Sequence, residues 1–297
     1  MRLRSQVQDA LYLNWALPAS ALPPPPAPLR YQTLNASDGG DDGAAGCREV
    51  AFASALLFRH RGVHLPHLPF VRFTYPQLNL RLYTLDADRV PSVLFVDMLM
   101  PWWVGPAVHL VAKSPTSAAR FTYPRPSADP AEGEWSWRVE QPWNGGGPSA
   151  LQVTGRRGSG LAMTGVPGGA AGGGSTSVGT WRETVRFFRE RPRGYVVTAG
   201  RLRRVETEHP PVEVWPMSVE VEEDSLLQRV LPLRAAPGWP ALHSAWLCPQ
   251  IPFVFELAVV PHTERQRDLD ATLPQPASTR SACPQGAARR SFTRAAL

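Results

Sequence analysis

Strict alternation of apolar and polar residues marks the clearest element of the chain. Leu78, Leu80 and Leu82 fall on one side; Asn79, Arg81 and Tyr83 fall on the other. This is the period-two signature of a β-strand over Leu78–Leu85. Val90–Val96 is apolar except for Ser92 and stops at Asp97, as a strand buried on both sides does. Further strands are predicted over Leu29–Leu34, Arg48–Phe58, Arg120–Tyr123, Trp135–Glu140, Leu151–Gly155, Tyr195–Thr198, Arg201–Glu208, Val212–Glu222 and Phe253–Val260. In the last but one, Glu220 and Glu222 alternate with Val219 and Val221 and read as a solvated face. Val7–Leu17 is a short amphipathic stretch stopped by Pro18, and Pro23–Pro26 impose extended polyproline geometry.

Helical spacing is rarer. Pro101 suits the first turn of a helix over Pro101–Ala112, and Pro106 predicts a kink or a late start. Trp181–Glu190 puts Trp181, Val185 and Phe188 on one face. Asp224 stands as N-cap to a short helix over Ser225–Val230. The proline-punctuated run His60–Tyr75 reads as a long connection, and the acidic, glycine-rich run Ser37–Gly46 as a loop or hairpin tip. The pattern therefore predicts an α+β chain, mainly antiparallel β, as a large sheet or a closed, barrel-like one with a few flanking helices.

Gly165–Gly179 is low in complexity and reads as an insertion within one domain spanning residues 1–262. It lacks the Gly-Lys-Ser/Thr ending of a phosphate loop. Residues 263–297 carry six arginines against three acids with few aromatics, and read as a disordered basic tail.

Composition sharpens this picture. Thirty-two prolines and 24 glycines favour turns over helix, and ten tryptophans supply large buried areas or pocket walls. The formal charge of +6 comes from arginine, because Lys113 is the single lysine. The arginines are scattered and form no basic helix, so no nucleic-acid partner is expected. No apolar run reaches the length of a membrane span and no apolar signal core follows the N-terminus, so no membrane partner is expected. Cys47, Cys248 and Cys283 show no paired spacing, which places the chain in a reducing cytoplasm.

Several segments, in order, resemble the DUF2071 (YqjF-like) family. They are Leu13-Asn14-Trp15, the run Gln77 to Tyr83, the strand ending at Asp97 and Ala119-Arg120-Phe121. Arg201 to Glu208 running into His209-Pro210-Pro211 follows, then Trp215-Pro216 and Glu222 to Leu227. The resemblance implies an acetoacetate decarboxylase-like fold, a cone-like antiparallel barrel around a small-molecule pocket. Lys113 to Phe121 resembles the segment where those decarboxylases carry their Schiff-base lysine, but Thr116 and Ser117 stand at the matching positions. Neither side chain forms an imine, so Schiff-base decarboxylation is not expected. Lys113, at the end of the predicted helix, reads as a solvated C-terminal cation.

The polar side of the Leu78–Leu85 strand carries the main candidates. It is either an ordinary solvent-facing side or a lumen-facing one. In the second case Arg81 binds an anionic ligand, Asn79 and Tyr83 orient it, and the leucines pack under helices. Asp97, at a strand end, is a second pocket candidate or a helix cap, and His209, before two prolines, a third or a structural histidine. His60, His64 and His67 lack the spacing that makes a metal site, and neither HExxH nor paired cysteines occur, so no metal or other cofactor is expected. Three functions fit: a small-molecule-binding protein for a small organic acid or apolar anion, an enzyme on such acids using Arg81 with His209 or Asp97, or a partner-binding protein with a filled barrel.

Overall fold

In the computed structural model the apolar and polar alternations above become the two faces of one large sheet. The structure describes residues 2–37, 47–65, 67–106, 108, 116–123, 134–142, 147–158, 181–198, 200–208, 212–231, 233, 240 and 242–261. The glycine-rich insertion, the C-terminal tail, Lys113 and His209 lie outside them.

The strands are β1 (Arg2–Pro18), β2 (Arg30–Tyr31), β3 (Leu34–Ser37), β4 (Cys47–Leu65), β5 (Leu68–Leu85), β6 (Pro91–Met100), β7 (Thr116–Ala118), β8 (Arg120–Thr122), β9 (Glu134–Gln141), β10 (Ser149–Arg157), β11 (Arg193–Thr198), β12 (Arg201–Glu208), β13 (Trp215–Glu223) and β14 (Leu242–Pro261). Among the described residues, helices α1 (Trp181–Arg189) and α2 (Ser225–Val230) interrupt them. All but two of the described strand pairings are antiparallel. The exceptions are β6 with β11 and β6 with β7.

The main path runs β1-β4-β5-β6-β11-β12-β14-β13-β10-β9-β8. The α+β, mainly antiparallel expectation is met, and the barrel-like one holds loosely. The sheet as a whole is not closed, since past β14 it continues through β13 and ends on β8. Within it β1 pairs with both β4 and β14, which curls the first seven strands of the path toward one another. β13 joins the two parts, since Trp215 and Pro216 pair with β14 while Met217–Glu223 pair with β10.

The expected connection over His60–Tyr75 is instead strand. His60 pairs with Tyr75, and Val63 with Phe73, in a long β4–β5 hairpin. Register shifts on both sides of Val63, with Gly62 at φ +65°, absorb the irregularity that its prolines announce. The predicted Val7–Leu17 stretch is also one long strand. Its Leu11, Leu13, Trp15 and Leu17 are all buried to within 2%. At about 2 kcal/mol per fully buried large side chain, such rows dominate the stability of the sheet.

Two core clusters lie on opposite sides of β1, β4 and β5. The first takes Leu13 and Trp15 of β1, Ala53 and Ala55 of β4, and Leu78, Leu80 and Leu82 of β5, with Leu226 and Leu227 of α2. The second takes Tyr12, Phe52 and Tyr83 from the same strands, with Val185 and Phe188 of α1 and Trp246 of β14. Each helix thus covers one face. Of the predicted third helix, one turn appears where Val108 N–H donates to the Val104 carbonyl, the late start that Pro106 announces. No helix among the described residues is long and apolar enough to cross a membrane.

Candidate functional site

The register of four neighbouring strands builds a polar row. Ser244 of β14 pairs with Asn14 of β1, Asn14 with Ser54 of β4, and Ser54 with Arg81 of β5. Their side chains bond along the row. Asn14 Nδ2 donates to Ser244 Oγ at 3.3 Å, and Arg81 Nε donates to Ser54 Oγ at 2.7 Å. Tyr83, two residues on from Arg81, accepts from Arg81 Nη2 and donates to Ser54 Oγ, each at 3.1 Å. The Arg81 guanidinium also lies over the Tyr12 ring, 5.0 Å from its centroid. Asn79 and Arg81 are each 8% exposed and Tyr83 is fully buried, so this side of β5 does not face solvent.

A second chain of polar groups runs beside the first. Asn79 Oδ1 accepts from Gln77 Nε2 at 2.5 Å, and Gln77 in turn bonds His60. His60 Nδ1 and Ser5 Oγ are 2.9 Å apart. Burial pushes the His60 pKa down to about 3, so the ring is neutral at physiological pH. His64 Nδ1 meets the Gly62 carbonyl and His67 is exposed. Among the described residues no three His, Cys, Asp or Glu side chains come together as a metal site.

Asp97 stands apart from this row, on the leucine side. In β6 the register with β5 slips by one residue, so that Arg81 faces Phe95 while Leu80 faces Asp97. The slip makes Val96 a bulge, and a bulge reverses the side to which the following residues point. Asp97 is therefore brought to Ser117 of β7, which donates to its Oδ2 at 2.8 Å. The Met98 amide donates to Oδ1, also at 2.8 Å. Burial raises the Asp97 pKa above the ordinary carboxylate value. The Ser117 and Met98 hydrogen bonds and the Arg229 charge oppose that rise without cancelling it.

Next to this pair is a narrow cleft. It is lined by Trp15 and Ala53, by Leu80, by Val96 and by Leu227 and Leu231, with Ser54 and Arg81 at its back. Leu80 is the register partner of Asp97 and Val96 is its chain neighbour, so Asp97 adjoins two residues of the cleft lining. The lining is apolar apart from these groups, the usual character of a small-ligand pocket.

The structure thus gathers Asn79, Arg81 and Tyr83 on one side of the sheet, and Asp97 with Ser117 on the other. Thr116 is half-buried and pairs with Met98. Ser54 and Ser244 were not singled out by sequence reasoning, and Asn14 appeared there only within the Leu13-Asn14-Trp15 segment.

Comparison with known proteins fits this architecture. The model of DUF2071, described as an uncharacterized conserved protein, matches residues 4–245. No curated protein matches the sequence. A structure of the enduracididine biosynthesis enzyme MppR, complexed with the condensation product of pyruvate and imidazole 4-carboxaldehyde, aligns with TM-score 0.50 at 11% identity, over 86% of this chain and 87% of that one. A second MppR structure, with HEPES buffer bound, gives TM-score 0.50 at 12% identity over 86% of each chain. An acetoacetate decarboxylase-like enzyme from Sphingomonas wittichii RW1 gives 0.48 at 12% identity, over 85% of this chain and 90% of that one. Likeness at these identities speaks to the fold alone.

Proposed function

The chain belongs to the DUF2071 family, and from that premise we propose that it binds a small organic acid in the apolar cleft beside Asp97 and Ser117. The observation that carries this reading is the 2.8 Å hydrogen bond from Ser117 to Asp97, the register partner of the cleft residue Leu80. Ser117 stands in the segment that resembles the lysine segment of the decarboxylases. A hydroxyl and a carboxyl in place of an amine support ligand binding without imine chemistry. The carboxyl, with its raised pKa, is a hydrogen-bond donor when protonated, and the aromatic wall of Trp15 with Leu80, Val96 and Leu227 suits an apolar ligand body. The choice of an organic acid follows the pyruvate-derived compound in the MppR complex.

One observation favours a catalytic version of the same site. A carboxyl whose pKa is raised by burial, and which is held by a neighbouring hydroxyl, is suited to pass a proton to a bound keto acid. His209, outside the described residues, is not needed for that step.

A thermal-shift screen of the full chain against small carboxylates and keto acids tests the binding. A saturable rise on the order of 5 °C near 100 times the dissociation constant is expected. The rise is lost in Asp97→Ala or in Leu80→Trp, which fills the cleft. A ligand whose effect is untouched by both substitutions binds elsewhere and removes the basis for this site. Turnover of that ligand, absent in Asp97→Asn, separates the catalytic version from simple binding.

A further inference from the structure

Among the described residues six large apolar side chains are exposed, and five of them belong to two neighbouring stretches. Phe70, Val71 and Phe73 stand on the first half of β5, in its hairpin with β4. Trp102 and Trp103 stand on the turn that follows β6. Phe70 is 79% exposed and Trp102 is 75% exposed. The two stretches meet at Tyr75. Its ring lies 6.4 Å from that of Trp103, edge to face, and it shares a small core cluster with Val63, Met100 and Val104. Phe73, two residues before Tyr75, points to the same side of the strand.

At about 150–250 Å² per aromatic side chain, these five residues leave roughly 600 Å² of apolar surface in water. That is the top of the range for the largest patch on a monomer, and most of the roughly 800 Å² that each partner gives to a stable interface. The backbone of β5 is open in the same place. β4 takes its inner edge, where Val63 pairs with Phe73 and Leu65 with Leu68, whereas pairing with β6 starts only at Leu78. From Leu68 to Gln77 no described strand covers the outer edge. Arg72 is the one charged residue in that run, and arginine stacks on aromatic rings rather than keeping them apart.

The two properties together select the occupant. A lipid surface takes the rings but offers a strand edge no hydrogen bonds. A second copy of the chain supplies an identical aromatic patch and an identical open edge, and a two-fold axis lets each copy cover the other. We propose that the β4–β5 hairpin and the Trp102–Trp103 turn form the contact between two copies of this chain, with their β5 edges side by side. None of these residues lines the cleft, so association and ligand binding are tested separately.

The test is sedimentation velocity with light scattering on the full chain. At about 50 µM a mass at least twice the 32.6 kDa of one chain is expected, because interfaces of this size have micromolar or tighter dissociation constants. Phe70→Lys with Phe73→Lys should weaken association at least about thirtyfold, and so should Trp102→Ser with Trp103→Ser. All four positions are exposed, and far-ultraviolet circular dichroism should match the parent. Where one pair of substitutions unfolds the chain, the other decides. Val197→Lys, at the sixth exposed position, should leave association unchanged. A single-chain mass at every concentration overturns the interface. So does association that both pairs leave intact, or that Val197→Lys weakens equally. A single chain that binds phosphatidylserine vesicles, and loses them in Phe70→Lys with Phe73→Lys, overturns it in favour of a lipid surface.

Discussion

Ser117 donates a 2.8 Å hydrogen bond to the Asp97 carboxylate, across twenty residues of sequence and between two parallel strands. Removing the hydroxyl removes one of the two hydrogen bonds that hold the Asp97 pKa down against burial. Ser117→Ala should therefore move the Asp97 titration midpoint further upward, as followed by carboxyl-carbon NMR. An unchanged midpoint would mean that the pair has no electrostatic consequence. Asp97→Asn mimics the protonated form and should leave the thermal midpoint close to that of the parent at neutral pH.

Asp86 ties the turn between β5 and β6 to β11. Its Oδ1 accepts from the Asp88 and Val90 amides at 2.9 Å, and its Oδ2 from Arg193 at 2.5 Å and Tyr195 at 3.0 Å. The carboxylate is only 2% exposed, while Arg193 is 24% exposed. Asp86→Ala strips four donors of their acceptor. A loss on the order of 3 kcal/mol is expected in urea unfolding, toward the low end for a broken buried pair because Arg193 can reach water. A loss below about 1 kcal/mol would show that the turn holds without it.

His60 and His243 should make the fold acid-sensitive. Burial lowers their pKa values from 6.5 to about 3 and about 4. The unfolded chain then binds more protons than the folded one below pH 6.5, so stability is full above that value and falls as pH drops toward 4. Urea midpoints measured from pH 7.5 to 4.5 should decline. His60→Gln combined with His243→Gln should flatten the profile, and an unaltered slope would trace the acid sensitivity to other groups.

Gly194 is held by a close approach rather than by its backbone angle. A Cβ there would come within 2.6 Å of Phe95 Cε2, where β11 lies parallel to β6. Gly194→Ala should cost about 1–3 kcal/mol in urea unfolding. Phe95→Leu in the same chain should recover part of that cost, since the two sites share one contact. Simple additivity of the two substitutions would refute the clash.

Much of the fold was legible in the sequence. Alternation over Leu78–Leu85 located a strand and assigned its two faces, and helical spacing located Trp181–Arg189 with Val185 and Phe188 turned inward. These are local properties, set by the two-residue period of a strand and the 3.6-residue period of a helix. The hairpin over His60–Tyr75 was not legible, because its prolines look like loop residues until bulges accommodate them.

The grouping of the site was decided by tertiary structure. Sequence alone left Asp97 open as a pocket residue or a helix cap, with no side of the sheet assigned. A single bulged residue, Val96, turns Asp97 to the side opposite Arg81, and only pairing with β5 reveals it. The residues that hold Arg81 are equally non-local. Ser54, Asn14 and Ser244 lie 27 to 230 positions from their bonded partners, and only the β14-β1-β4-β5 register brings them into one row. The sequence by itself determined which residues alternate, because that depends on neighbours along the chain. Which polar groups meet depends on strand order and register, and only the folded sheet supplies those.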